Sequence, residues 1–385
     1  MMDSGSWELV LPASCDGLPA AAEGSSCCGK ATCPSASYKL TSHRRDAERP
    51  DLGEIPYLGG SCTVLDGFDS VGLPGAEPLP DVPVRVIVDH SIHFFKTASA
   101  QAIFGISPGD PTGGPNKVLS AMGVERFTVC LDQSGEAGAI WLNDSPKASA
   151  DKASWKEVRS TMRQYWGTWT SDWQLAGAGA AVPLGCIEDD CGVIIDTGTP
   201  LINLPQAMYD TMEKHIHGRG VADCSDLSKF PTLRFTIGDQ ALELSPEAYV
   251  ADGGERQPGT SLLVAGLQFP AMPMSSEDHM LWKSGKPFRQ CVLLFEHYGE
   301  DAQMWGYGPL VTLGLLSLRD YRVQFDLGAR KMRFGEAAAD CSQPQNRSRL
   351  ERPTGARRLQ AVVPHKLAPS LLARAGGKVL AAWAA

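Results

Sequence analysis

Short apolar or alternating stretches recur along this chain: VRVIV at 84–88, RFTVCL at 126–131, LRFTI at 233–237, YRVQFDL at 321–327 and KMRFG at 331–335. Clusters of Gly, Pro, Asp and Ser separate them, and runs bounded by turn residues predict strands. Helical periodicity is scarce. The best helical segment is PQAMYDTMEKHIHG, where Pro205 can start a helix and Gly218 can end it. MWGYGPLVTLGLLSL, at 304–318, is apolar but interrupted by glycines. It predicts a buried strand and a turn, because it is shorter than the roughly 20 residues a membrane helix needs. The pattern predicts an all-β fold with a few short helices.

Length then sets the organisation. At 385 residues the chain exceeds what one hydrophobic core usually organises, so two lobes are expected. A search for internal similarity gives the same answer. Asp3-Ser4-Gly5-Ser6 is followed by Ile103-Phe104-Gly105, and Asp196-Thr197-Gly198-Thr199 is followed by Thr312-Leu313-Gly314. One pattern thus occurs once per half. The predicted division is 1–158 for the first lobe, 159–340 for the second, and a basic, disordered tail over 341–385.

Charge and cysteines narrow the function class. The chain carries 35 Lys and Arg against 44 Asp and Glu. The segment 341–385 holds many of the basic residues beside Glu351 alone, so the body is more acidic than the whole. An acidic body excludes a nucleic-acid groove, which needs a basic surface. Of the 11 cysteines, Cys15, Cys27, Cys28 and Cys33 lack paired CxxC spacing. Disulfides, and with them an oxidising compartment, are therefore expected before metal sites. His215 and His217, two apart on a helix, would face different sides and share no metal. Asn143-Asp144-Ser145 and Asn346-Arg347-Ser348 fit glycosylation acceptors.

The repeated motif has a chemical reading. In GVIIDTGTPLINLP, an apolar run from Val193 to Ile195 delivers Asp196 into a turn of small residues. Gly198 lets the backbone approach closely, and the hydroxyls of Thr197 and Thr199 can bond the backbone or the carboxylate. If pseudo-symmetry brings Asp3 beside Asp196, the two cannot both ionise cheaply and share one proton. One is then a base that activates water, and the other an acid that protonates a peptide carbonyl. This is the known chemistry of aspartic proteases rather than an independent derivation. Ser4 and Thr197 would cross-brace the loops.

At these residues the sequence resembles the pepsin-like aspartic endopeptidases, over nearly all of residues 1–336. YLGGSCTVLDGFDSV (57–71) resembles the family's flap hairpin, with Tyr57, Gly59 and Gly60 at its substrate-facing end. Cys186 and Cys191 resemble the small disulfide loop before the second Asp, and Cys224 and Cys291 the larger bridge of the second lobe. LSPEAYV (244–250) looks like a strand ending in Pro-x-x-Tyr, and VTLGLLSLRDYRVQFDLGARKMRFG like the closing turn, short helix and hairpin. The sequence departs from the family pattern at several positions. Val10 stands where an aromatic residue usually supports the flap Tyr, with Trp7 displaced toward the loop; Leu58, Gln101-Ala102, Pro200 and Leu315 also differ.

The resemblance implies a bilobal fold of two pseudo-symmetric, β-barrel-like lobes. It implies an aspartic-type endopeptidase acting at acidic pH on peptide or protein substrates, as a monomer, with no metal or organic cofactor and no transmembrane anchor. The alternative is a catalytically impaired peptide- or protein-binding protein on the same fold. A secretory route is implied, with an extracellular or lysosome- or vacuole-like destination. The resemblance further implies a chain truncated at its N-terminus, lacking signal, propeptide and first strand. Asp3 would then be loosely held.

Overall fold

One four-strand unit occurs twice. In the first half, β1 (Met2–Asp3), β2 (Leu9–Pro12), β3 (Leu52–Tyr57), β4 (Gly60–Val71), β5 (Leu79–His90) and β6 (Ile103–Gly105) lie in one sheet. Strand β6 sits between β1 and β2. It is parallel to β1, with Met2 opposite Phe104 and Asp3 opposite Gly105, and antiparallel to β2. Strand β2 then runs parallel to β5. In the second half, β7 (Cys191–Asp196), β8 (Ile202–Leu204), β9 (Phe295–His297) and β10 (Gly308–Gly314) repeat that order and those directions. Strand β10 is parallel to β7, with Asp196 opposite Gly314, and antiparallel to β8, which is parallel to β9. The repeat legible in the sequence is therefore a repeat of topology.

The computed structural model describes residues 2–12, 44–45, 52–57, 60–72, 78–92, 102–131, 138–143, 155–177, 180–187, 191–218, 226–255, 262–264, 267–269, 289–298, 303–304 and 306–337. Gly59, Cys15, Cys27, Cys28, Cys33, Cys224, Cys341, the Asn346 triplet and the tail lie outside them.

A sheet shared by the halves joins the two units. Its strand order is Lys156–Arg159, Lys331–Glu336, Tyr321–Asp326, Arg126–Leu131, Gly138–Leu142, so late strands pair with early ones. The expected boundary at 158/159 falls inside the first of these strands. Phe127 and Phe325, opposite each other across the pairing, stack at 4.7 Å between ring centroids. Trp166, fully buried, packs on both rings, and its indole N–H donates to the Ile106 carbonyl at 2.9 Å. Offset aromatic packing of this kind adds about 0.5–1.5 kcal/mol per pair beyond area burial.

The apolar runs lie where the pattern predicts strands. RFTVCL forms Arg126–Leu131, and the 304–318 run becomes β10 followed by a 3₁₀ turn at Leu315–Arg319. The helix expected after Pro205 spans Gln206–Gly218. One expectation is corrected: LSPEAYV is not a strand ending in Pro-x-x-Tyr. Pro246–Tyr249 is a helical turn, because Pro246 takes the first helical position after Ser245. Asp320 accepts bonds from the backbone and hydroxyl of Ser245 there. The fold is all-β and pepsin-like in architecture. No helix of the described residues is long and apolar enough to cross a membrane.

Candidate active site

Asp3 and Asp196 end the two equivalent strands β1 and β7, each opposite a glycine, Gly105 or Gly314. Small residues follow each Asp, and both loops turn immediately. The Gly5 N–H donates to Asp3 Oδ1 at 2.8 Å, and the Gly198 N–H donates to Asp196 Oδ1 at 2.8 Å. Both carboxyls are buried and face each other closely enough for a mutual hydrogen bond. A Cβ on Gly5 would meet the Asp196 carboxyl carbon at 2.7 Å, and one on Gly198 would meet Asp3 Oδ1 at 2.2 Å. Each glycine thus makes room for the opposite carboxyl.

The loops are cross-braced over 193 positions of sequence. The Ser4 hydroxyl donates to the Ile195 carbonyl at 2.8 Å and accepts from the Thr197 N–H at 2.8 Å. The Thr197 hydroxyl donates to the Met2 carbonyl at 2.8 Å and accepts from the Ser4 N–H at 3.0 Å. Thr199 donates to Asp196 Oδ2 at 2.6 Å, and Ser6 is buried beside Asp3. These bonds correct the expectation of a loosely held Asp3. Parallel pairing with Phe104 and Gly105, the Ile106 N–H on the Asp3 carbonyl at 2.7 Å, and the hydroxyl brace hold it.

The electrostatics separate the two acids. Burial, then the neighbouring Asp196 charge, raises the Asp3 carboxyl well above the usual carboxylate range. Asp196 accepts from the Gly198 N–H and from the Thr199 hydroxyl.

Tyr57 ends β3 opposite Gly60, where the hairpin turns. Gly60 has φ 137°, and a Cβ there would meet Ser91 Oγ at 2.8 Å and Ile92 N at 2.9 Å, so the turn needs glycine. Tyr57 packs against the cluster that holds Val10, Ile55 and Cys62, and its hydroxyl is buried with no hydrogen-bond partner among the described residues. Burial first, then the Glu8 and Asp3 charges, push its phenol far above the ordinary value. Of the predicted bridges, Cys186 and Cys191 are joined. Cys291 is disulfide-bonded to a partner outside the described residues, so its pairing with Cys224 stays an expectation. Among the described residues no group of His, Cys, Asp and Glu could hold a metal ion.

Sequence reasoning missed several neighbours of this site. Tyr165 has its phenol raised by burial and then by the charges of Asp196, Asp3 and Glu8. Tyr298 bonds the Thr312 hydroxyl, and burial pushes its phenol up to about 12. Glu8 is buried directly behind the first loop. The adjacent aromatic pair Tyr165-Trp166, just ahead of a strand, was a signal that could have been read. Glu8 offered none.

The chain is similar to known proteins in both sequence and fold. The family model "Eukaryotic aspartyl protease" matches residues 117–273. Bovine (Bos taurus) pepsin A is 23% identical over 276 residues, 68% of each chain. Rabbit (Oryctolagus cuniculus) gastricsin is 26% identical over 213 residues, 51% of this chain and 53% of its own. The crystal structure of an aspartic proteinase from Irpex lacteus superposes with a TM-score of 0.57 at 17% identity, covering 90% of this chain and 91% of that one. The chain spans about two thirds of the length of the pepsins it matches. Fold and sequence together support a pepsin-like aspartic protease. Its similarity to pepsins and gastricsins supports a peptidase function.

Proposed function

We propose that this chain is an aspartic-type endopeptidase in which Asp3 and Asp196 share one proton and activate water against a peptide bond. One observation carries the reading: two buried carboxyls in mutual contact, at the ends of equivalent strands, with their loops tied by reciprocal hydroxyl bonds. Burial favours the proton on Asp3. Asp196 takes a proton from the water as its oxygen attacks the carbonyl carbon. Asp3 gives its proton to the carbonyl oxygen, and the tetrahedral intermediate then collapses with protonation of the leaving amine. Ser4, Gly5, Ser6, Thr197, Gly198 and Thr199 hold the dyad. Tyr57, Gly59 and Gly60 belong to the flap that covers an extended peptide or protein substrate. No metal or organic cofactor enters, because water is the nucleophile.

A raised Asp3 fits work at acidic pH, where one proton stays on the dyad. The closed Cys186–Cys191 bridge supports an oxidising, secretory-route setting. The test is proteolysis of unfolded protein substrate between about pH 3 and pH 7, with and without a statine-type peptide inhibitor. Cleavage is expected, blocked by the inhibitor and abolished in Asp3→Asn and in Asp196→Asn. No cleavage, or cleavage that survives both substitutions, overturns the proposal. Tight inhibitor binding without cleavage supports instead a peptide-binding protein on the same fold, a reading to which the unsupported Tyr57 hydroxyl lends some weight.

A further inference from the structure

Behind the first aspartate loop lies a row of charges that the proposed chemistry does not use. Glu8, 6% exposed, follows the loop directly, and one of its oxygens accepts from the Trp7 N–H at 3.3 Å. Its other oxygen lies 3.2 Å from Arg85 Nη1, and Arg85 Nε lies 3.2 Å from Asp66 Oδ1. The three groups come from three places in the sheet. Arg85 on β5 stands opposite Val10 of β2 on one side and opposite Asp66 of β4 on the other. Strand β4 is the return strand of the flap hairpin, and Tyr57 ends the strand paired to it. The row therefore runs from the loop that carries Asp3 to the hairpin that carries Tyr57.

The composition of this region suggests why charge is used. Val10 has no polar group to offer the Tyr57 hydroxyl, which is buried without a partner among the described residues. Apolar packing around Tyr57 fixes its ring against a wall of aliphatic side chains, but such contacts are non-directional. Arg85, 3.2 Å from a carboxylate oxygen on each side, adds to that packing an attraction between opposite charges that spans the strands.

We propose that Glu8 is a positioning residue: its carboxylate, tied through Arg85 to Asp66, joins the first aspartate loop to the flap hairpin and sets where Tyr57 stands over the dyad. The proposal rests on the endopeptidase reading for its consequence in catalysis, but the tie itself is a property of the folded chain. Two charges that face Glu8 act on it in opposite senses. Arg85 on β5 favours the carboxylate, whereas Asp66 on β4 opposes it. Tyr57 on β3, Tyr165 and Asp3 complete the surroundings. Burial outweighs Arg85, so the Glu8 carboxyl titrates above its ordinary value. The ionic tie is therefore taut where Glu8 is ionised and slackens as the pH falls and Glu8 takes up a proton.

That sense gives a test that a merely structural role would not reproduce. Hydrogen exchange of the amides of 52–57 and 60–71 is measured at about pH 7 and about pH 4, corrected for intrinsic rates, in the parent, in Glu8→Gln and in the double variant Glu8→Leu/Arg85→Leu. At the higher pH both variants are expected to exchange about fivefold or more faster in the flap, with the amides of 191–204 unchanged. In acid, Glu8→Gln is expected to match the parent, because the parent has itself lost the charge. The double variant removes Glu8 together with its cation and leaves Asp66, whose side chain is 17% exposed, to solvent, which protects its folding. In peptide cleavage assays, Glu8→Gln raises KM relative to the parent by a factor that grows with pH, while kcat moves little.

Equal flap exchange in parent and Glu8→Gln at the higher pH overturns the proposal, as does an equal rise in both lobes. A parent that cleaves nothing refutes the endopeptidase reading instead, and the exchange comparison still decides the role of Glu8.

Discussion

The reciprocal hydroxyl brace makes the sharpest prediction. Thr197→Ala removes a hydroxyl that donates to the Met2 carbonyl and accepts from the Ser4 N–H, and Ser4→Ala removes its counterpart on Ile195 and Thr197. Each substitution leaves two backbone groups without a bond, in a place where Ser4 and Thr197 are almost fully buried. At about 1–3 kcal/mol per stranded group, and with some relaxation, each costs about 2–4 kcal/mol. For a chain of this size that lowers Tm by about 2–6 °C. Pseudo-symmetry requires the two costs to be similar. The double variant should cost less than their sum, since the loops relax together and the sites are coupled. Thermal unfolding of the four proteins gives the stability cycle, and kcat/KM on a peptide substrate gives the catalytic one. A displacement of either carboxyl by about 1 Å would lower kcat/KM about a hundredfold. Should both single variants melt within about 1 °C of the parent and retain kcat/KM within about twofold, the brace does not position the dyad and the reasoning fails.

Three further outcomes follow from the same site. Gly198→Ala places a methyl 2.2 Å from Asp3 Oδ1. It is expected to abolish proteolysis and to lower stability by about 1–3 kcal/mol, read by activity and urea unfolding together. Because burial raises the Asp3 carboxyl, the folded chain holds that proton more tightly than the unfolded one. Its contribution is full below the ordinary carboxylate pKa and is lost as pH rises through the folded value. Asp3→Asn should therefore melt above the parent near neutral pH, with the difference closing in acid; a constant difference across pH would contradict this. Cys62 is a buried free thiol whose pKa burial pushes up to about 12. Alkylation mapped by peptide mass should leave it unmodified in the native protein at about pH 8 and modify it after denaturation.

What could be read in advance depended on how far apart the interacting residues lie. The Asp loops, the strands and the Gln206–Gly218 helix carry their signals in a few adjacent residues: an apolar run, small turn residues, a Pro at the start. The pairing of Cys186 with Cys191 is likewise local. The anchoring of Asp3 was misjudged because its partner strand, Ile103–Gly105, lies about a hundred positions away, and two residues before the Asp gave no hint of it. Pro246–Tyr249 was misread because a Pro after an alternating run looks like a strand end, whereas Ser245 and Asp320 set a helical turn. Glu8 looked like an ordinary polar residue until the fold set Arg85 beside it.

The sheet that joins the two halves has a consequence for how the protein comes into being. Thr128 and Gln324, bonded across that sheet, are 196 positions apart. At roughly 5–20 residues per second, a ribosome needs on the order of ten to forty seconds between them. During that interval Phe127 lacks the Phe325 ring that stacks on it in the finished sheet. The early half therefore emerges as an incomplete body that must be shielded from aggregation, and only the last strands to be made convert the chain into one molecule.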